Sequence, residues 1–249
     1  MLYGIDISNW QKGLKLPESL DFCIVKATEG FRYVDPYCDG FVHQAISKGI
    51  LFGFYHFARN NNPEDEAVFF RNNTKGYELL GVPVLDIEDA KIVNWGDYAQ
   101  RFVDKYHAIT GVYPMIYASA STLSRFKGYP LVDTCGLWIA GYPTSKMLEL
   151  KEVPTFCYDV APWKFAAIWQ FTSNGSLDNW DGPLDLDVAY MDNSAWYAYA
   201  NPIGRADQTQ VLQRPVTANS APVDGTHYHF GNSFLDIDVT IKGGTKDGS

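Results

Sequence analysis

"VPVLDIED", residues 82–89, carries an apolar β-run directly into three acids. Asp86 and Glu88 stand two apart. In an extended chain they share one face at a Cα separation of roughly 6.7 Å, with Ile87 turned the other way. Asp89 reads as the first loop residue. Carboxylates at the end of a buried strand need a place where strand ends meet solvent, and the neighbouring runs indicate what that place is.

Similar β-runs recur at "LYGID" (2–6), "FCIVKATEG" (22–30), "ILFGFYHFA" (50–58), "YPMIYAS" (113–119), "GLWIAGY" (136–142) and "FAAIWQFT" (165–172). Helical periods lie between the early ones, over 35–48, 63–77 and 95–111, with Tyr98, Phe102 and Tyr106 forming one stripe of the last. β-α alternation predicts parallel strands wrapped by helices, and runs apolar on both faces predict strands buried on both faces. Past residue 111 the helical stretches shorten or vanish. An incomplete or irregular β/α barrel fits this pattern, with an open doubly wound sheet as the alternative. No GxGxxG or GxxxxGK[ST] follows any strand, which removes the main support for a nucleotide-binding sheet.

In a β/α barrel the functional side chains come from the C-terminal ends of strands. Asp6, Asp86 and Glu88 fall at such ends, and Asp185 and Asp187 lie in the last β-run, "GPLDLDVAY" (182–190). A lone D-x-E is as easily a turn cap or the partner of a surface Lys or Arg. Acids from several distant segments meeting at one mouth suit glycoside hydrolysis, which needs one protonated and one ionised carboxyl. Crowded like charges raise the pKa of at least one member and keep a proton available.

Composition narrows the classes. The chain has 249 residues, 46% of them hydrophobic, enough for one large domain with at most a small appendage. A net charge of −9 with no basic cluster argues against nucleic acid. No run of eighteen apolar residues exists, so no membrane insertion is expected. "MLYGIDISNWQ" has neither a basic n-region nor an apolar h-region, so no signal peptide is expected. Four scattered cysteines without a CxxC read as free, buried thiols. The acids of 178–187 lack calcium-loop spacing and "HYH" (227–229) lacks a third ligand, so neither metal nor cofactor is expected. From residue 199 the texture turns to Pro, Gly, Asn and Ser, with one alternating run at Leu235, Ile237, Val239 and Ile241. The expected division is therefore a domain at 1–198 and a small β-rich tail at 199–249.

Eight stretches, in order, resemble glycoside hydrolase family 25, the N-acetylmuramidase lysozymes found in bacteriophage endolysins, bacteria and fungi. They are "GIDISNWQ" (4–11), "VKATEG" (25–30), "GFYHFA" (53–58), "PVLDIED" (83–89), "YPMIYAS" (113–119), "LWIAGY" (137–142), "IWQFTSNG" (168–175) and "LDLDV" (184–188). The resemblance implies an irregular (β/α)5β3 barrel that cleaves the β-1,4 bond between N-acetylmuramic acid and N-acetylglucosamine in bacterial peptidoglycan. It implies Glu88 as the general acid, Asp86 and Asp6 as further catalytic carboxylates, and Asp185 as a fourth, with Asp187 at the neighbouring motif position. Tyr55, Tyr117, Tyr142 and Trp169 match aromatics that shape the groove. The nucleophile stays open between Asp86 and the substrate's own acetamido group. A non-catalytic wall-binding barrel and a hydrolase of another glycan are the competing readings; the D-x-x-D-x-D-x-E run expected of a chitinase is absent. The tail matches no wall-binding repeat, so contact with the wall or self-association through it are both expectations. The resemblance also implies a lysin made in the bacterial host's cytoplasm and released to the wall.

Overall fold

The computed structural model describes residues 1–202, together with 216–217 and 237–238. The chain forms two compact units, Met1–Ile203 and Gly204–Ser249. In the first, the strands are β1 (Leu2–Ile7), β2 (Phe22–Glu29), β3 (Tyr33–Val34), β4 (Leu51–Phe57), β5 (Val82–Asp86), β6 (Met115–Ser119), β7 (Leu137–Ala140), β8 (Leu148–Glu149), β9 (Ile168–Leu177) and β10 (Trp180–Ala189). The helices are α1 (Cys38–Lys48), α2 (Pro63–Thr74), α3 (Trp95–Thr110), α4 (Leu131–Thr134) and α5 (Asn193–Ala200).

Eight strands close into a barrel in the order β1-β2-β4-β5-β6-β7-β9-β10. β10 runs antiparallel to both neighbours and seals the seam against β1, with Leu2 opposite Ala189 and Asp6 opposite Asp185. Every other barrel pair is parallel. Closure excludes the open sheet. Helices α1, α2 and α3 fill the connections from β2 to β6, whereas β6 to β7 uses a 3-10 stretch (Ala120–Phe126) and the four-residue α4. That is the shortening of helices expected past residue 111.

The helices begin and end where local chemistry says they should. Asn62 and Asn94 accept the amides of Asp65 and Asp97 at the starts of α2 and α3. Gly49 and Gly111 end α1 and α3 in the left-handed region, at φ 68° and 76°. α2 stops at Thr74, short of the expected 77, because Lys75–Tyr77 tightens into a 3-10 turn.

Two apolar layers result. The outer faces of the strands pack under the helices, with Ile5, Val25, Phe54, Leu85, Ile116 and Phe171 among them. The inner faces meet one another lower in the barrel through Leu2, Phe22, Ile24, Val82, Val84, Met115, Trp138 and Ile168. Gly4 makes room there, since a Cβ on it would lie 2.4 Å from the Phe22 carbonyl and 2.6 Å from its ring. α5, unread in the sequence, closes the lower end. Its buried Trp196 packs against Phe22 with the rings tilted and their centroids 4.9 Å apart, and Ala200 joins the same layer. Because α5 runs to Ala200, it crosses the expected boundary at 198. In the second unit, Val216–Thr217 pairs in parallel with Ile237–Asp238. The rest of the alternating run expected at 235–241 lies outside the described residues. The four cysteines are free; Cys157 is exposed, against the expectation that all were buried.

Candidate active site

Strand alternation places the acids. Along the inner face β1 reads Leu2, Gly4, Asp6; β2 reads Phe22, Ile24, Lys26; β5 reads Val82, Val84, Asp86; and β9 reads Ile168, Gln170, Thr172. Each face turns from apolar to polar on the way up. Because β10 runs the other way, its Ala189, Asp187 and Asp185 give the same gradient in reverse. Asp185 and Asp187 therefore reach the mouth from within a strand, not from its C-terminal end as the sequence suggested. β5 itself ends at Asp86, but the Ile87 amide still donates to the Tyr117 carbonyl. Alternation thus persists for one more residue. Ile87 is buried in the outer layer, and Glu88 opens toward solvent at the mouth. This is why a buried strand ends in carboxylates: its last inner-facing positions rise above the apolar plug.

Gln170 organises the floor of the mouth. Its Nε2 donates to Asp6 Oδ2 at 2.6 Å. Its Oε1 accepts from the Tyr117 hydroxyl at 2.9 Å and from the Tyr142 hydroxyl. Asp187, 0% exposed, accepts from the Trp138 indole at 2.8 Å, and its other oxygen has no hydrogen-bond partner among the described residues. Asp187 and Asp6 are thus a buried pair of acids, and burial raises the Asp187 carboxyl well above its ordinary range. Burial, then the charges of Asp185 and Asp187, push Asp6 well above the usual carboxylate range.

Asp86 is also pushed well up, by burial and then by the Glu88 charge. Its Oδ1 has no hydrogen-bond partner among the described residues. Glu88 is raised by burial, with Lys26 and Arg59 pulling it back. Asp185, half-buried and facing Glu88, is raised to about 6, by burial first and the Glu88 charge second. Burial raises the Tyr55 hydroxyl as well, and the charges of Asp6 and Asp86 push it further.

A cationic rim counters these acids. Lys26 Nζ lies 2.5 Å from Glu29 Oε2 and 4.8 Å from the Phe57 ring centroid. Arg59 stacks over the same ring at 4.5 Å, grips Glu29 through Nε and Nη2 at 2.8 and 2.6 Å, and reaches Asp89 at 3.4 Å. Lys26, Glu29, Arg59, Trp138 and Gln170 were not singled out from sequence. For Lys26 and Gln170 the available signal was an isolated polar residue on the inner parity of an apolar run.

The sequence-predicted set divides accordingly. Asp6, Asp86, Glu88, Asp185, Tyr55, Tyr117 and Tyr142 meet at the mouth. Trp169 does not, because it has the outward parity of β9. It is 0% exposed, packs against Phe156 at 5.0 Å and donates to the Gly141 carbonyl. Asp187 is too deep to touch a ligand and instead supports Asp6 and Trp138. Among the described residues no cluster of three His, Cys, Asp or Glu is disposed to hold a metal ion.

The sequence profile of the Glycosyl hydrolases family 25 matches residues 5–180. The chain belongs to that family. Among curated relatives, the N,O-diacetylmuramidase of Chalaropsis sp is 28% identical over 210 residues, covering 71% of this chain and 95% of that protein. The autolytic lysozyme of Clostridium acetobutylicum is 29% identical over 195 residues, covering 74% of this chain and 54% of that protein. Among solved structures, the family GH25 lysozyme from Aspergillus fumigatus superposes with a TM-score of 0.64 at 27% identity, covering 80% of this chain and 98% of that one. The bacterial lysozyme of Streptomyces coelicolor shares the fold at a TM-score of 0.67 and 24% identity, covering 81% and 97%. This family 25 barrel carries its mouth acids on β1, β5 and β10.

Proposed function

We propose that this family 25 hydrolase cuts the β-1,4 bond between N-acetylmuramic acid and N-acetylglucosamine in peptidoglycan. The observation that carries the reading is the convergence of Asp6, Asp86, Glu88 and Asp185 on one barrel mouth. Lysozyme and muramidase names among the relatives supply the substrate class. The finer description of the fold as an irregular (β/α)5β3 barrel belongs to the same reading.

Glu88 acts as general acid on the glycosidic oxygen and then as base toward water. In the empty site burial favours a proton on Asp86 over the more open Glu88. A glycan laid across the mouth strips water from Glu88, disfavours its charge and shifts the proton balance toward it. Asp86, losing its proton, becomes the negative partner, either as the attacking carboxylate or by steadying the substrate's acetamido group as it attacks. Asp185 faces the same bond. Asp6, with Gln170 and Asp187 behind it, sets the potential of the floor. Tyr55, Tyr117 and Tyr142 line the cleft.

The endolysin role is part of the proposal. A structural neighbour is the CTP1L endolysin, at a TM-score of 0.62 and 24% identity. The enzyme would be made in a bacterial host's cytoplasm and would act on the wall after release, while the tail contacts the wall or joins subunits. No helix among the described residues is long and apolar enough to cross a membrane. The deciding experiment is digestion of purified peptidoglycan with mass spectrometry of the products. New reducing ends on muramic acid support the reading; free amines or reducing N-acetylglucosamine overturn it, and binding without cleavage favours the wall-binding barrel.

A further inference from the structure

Trp10 is 82% exposed, more than any other aromatic ring among the described residues. It sits in the turn that leaves β1 at the mouth, four residues after Asp6. Exposed as it is, its backbone is firmly held. Ser8 Oγ accepts from the Trp10 amide at 3.3 Å, while Gln11 Oε1 accepts from the Ser8 amide at 2.9 Å. This reciprocal capping fixes the turn. The Asn9 amide donates to Asp35 Oδ2 at 2.9 Å, and the other Asp35 oxygen accepts from the Tyr37 amide at 2.9 Å.

Asp35 is buried and has no part in the chemistry above. It follows β3, whose half-exposed Tyr33 stands two residues before it. The Tyr33 ring centroid lies 5.6 Å from Lys26 Nζ, the cation of the mouth. One buried carboxylate therefore holds the Trp10 turn against the segment that follows β3, whose Tyr33 borders Lys26 at the mouth.

We infer that Trp10, with Tyr33 beside it, is a stacking platform for a pyranose ring of the glycan distal to the cleaved bond, held in place by Asp35. A pyranose presents an apolar C–H face and a polar rim of hydroxyls. Laid on an indole, it buries the face while the rim stays in water, so apolar area is gained without unpaired polar groups. Because the turn's backbone is already fixed, binding costs little backbone freedom. The inference rests on the proposed substrate, which is a chain of such rings extending past the two at the scissile bond.

The test uses the full chain, with soluble glycan oligosaccharides of increasing length. For Trp10→Ala the loss in kcat/KM should grow with length, carried by a KM that rises about tenfold on the longest substrates, with Trp10→Phe recovering part of it. Asp35→Asn should reproduce the same length dependence in weaker form. An equal loss at every length, or no loss, overturns the platform. So does a change of mass in light scattering on Trp10→Ala, which would make the indole a contact between copies. Binding of the same oligosaccharides to Glu88→Gln, read by tryptophan fluorescence with and without Trp10→Phe, separates this failure from failure of the parent reading. If the wild type yields no new muramic reducing ends, the cleavage assignment falls while length-dependent binding still decides the platform.

Discussion

Gln170 and Asp6 lie 164 positions apart in the chain and meet through a 2.6 Å hydrogen bond at the centre of the barrel mouth. The amide has its donor on Asp6 and its acceptor on two tyrosines, which fixes its orientation and spends its oxygen. Replacing Gln170 with Leu should leave Asp6 without its donor and both tyrosines without their acceptor. The expected cost is about 1–3 kcal/mol of stability and a clear fall in kcat. Thermal denaturation and initial rates on soluble fragments check both; unchanged rates would show that the floor does not position Asp6 for catalysis.

Glu88→Gln keeps the size of the side chain and removes its titrating proton. The variant should fold normally and lose on the order of 10²–10⁴-fold in activity. Near wild-type turnover of cell walls would refute the assignment of Glu88 as the acid.

Activity should follow a bell-shaped pH profile with a mildly acidic to neutral optimum. The alkaline limb reports loss of the Glu88 proton and the acid limb the protonation of its carboxylate partner. Since a seated glycan desolvates Glu88, the alkaline limb of kcat should lie above that of kcat/KM, which reports the empty enzyme. Coincident limbs, or a rate still rising beyond pH 9, would contradict the scheme.

The acid cluster should cost stability near neutral pH. Asp185 is raised to about 6 in the folded state from an ordinary 3.8. A carboxyl raised on folding contributes fully below its unfolded pKa, and that contribution is lost as pH rises through the folded value. Asp185→Asn should therefore raise the melting temperature at pH 7.5 by more than at pH 4, by an amount corresponding to roughly 1–3 kcal/mol, while activity falls. A larger gain at pH 4 would reverse the sign and discard the argument.

Much of this site was legible in the chain because barrel strands obey a period of two. "VPVLDIED" alone placed Asp86 and Glu88 on one face, and Tyr117 follows from the same parity in "MIYAS". The error at Trp169 is a parity error. In "IWQFT" the conspicuous ring points outward and the plain Gln170 points in, because Ile168 and Thr172 set the inner register. Asp185 and Asp187 were located but misread, since nothing local shows that β10 runs antiparallel. The direction of a strand is a property of closure against β1, which only distant pairing reveals. α5 had a usable signal in Asp192, whose side chain accepts the Ala195 amide ahead of "AWYAYA". Its burial of Trp196 depends on the cavity that eight strands leave beneath the mouth.

The seam between β1 and β10 also makes assembly of the acid cluster depend on closure of the barrel. Leu2 is opposite Ala189, so the first strand of the barrel completes its pairing only with the last. The same pairing brings Asp185 and Asp187 to Asp6. A nascent or truncated chain that stops short of β10 has an open sheet, an unpaired β1 edge and only part of the acid cluster. Nothing short of the finished barrel carries the full set of mouth carboxylates.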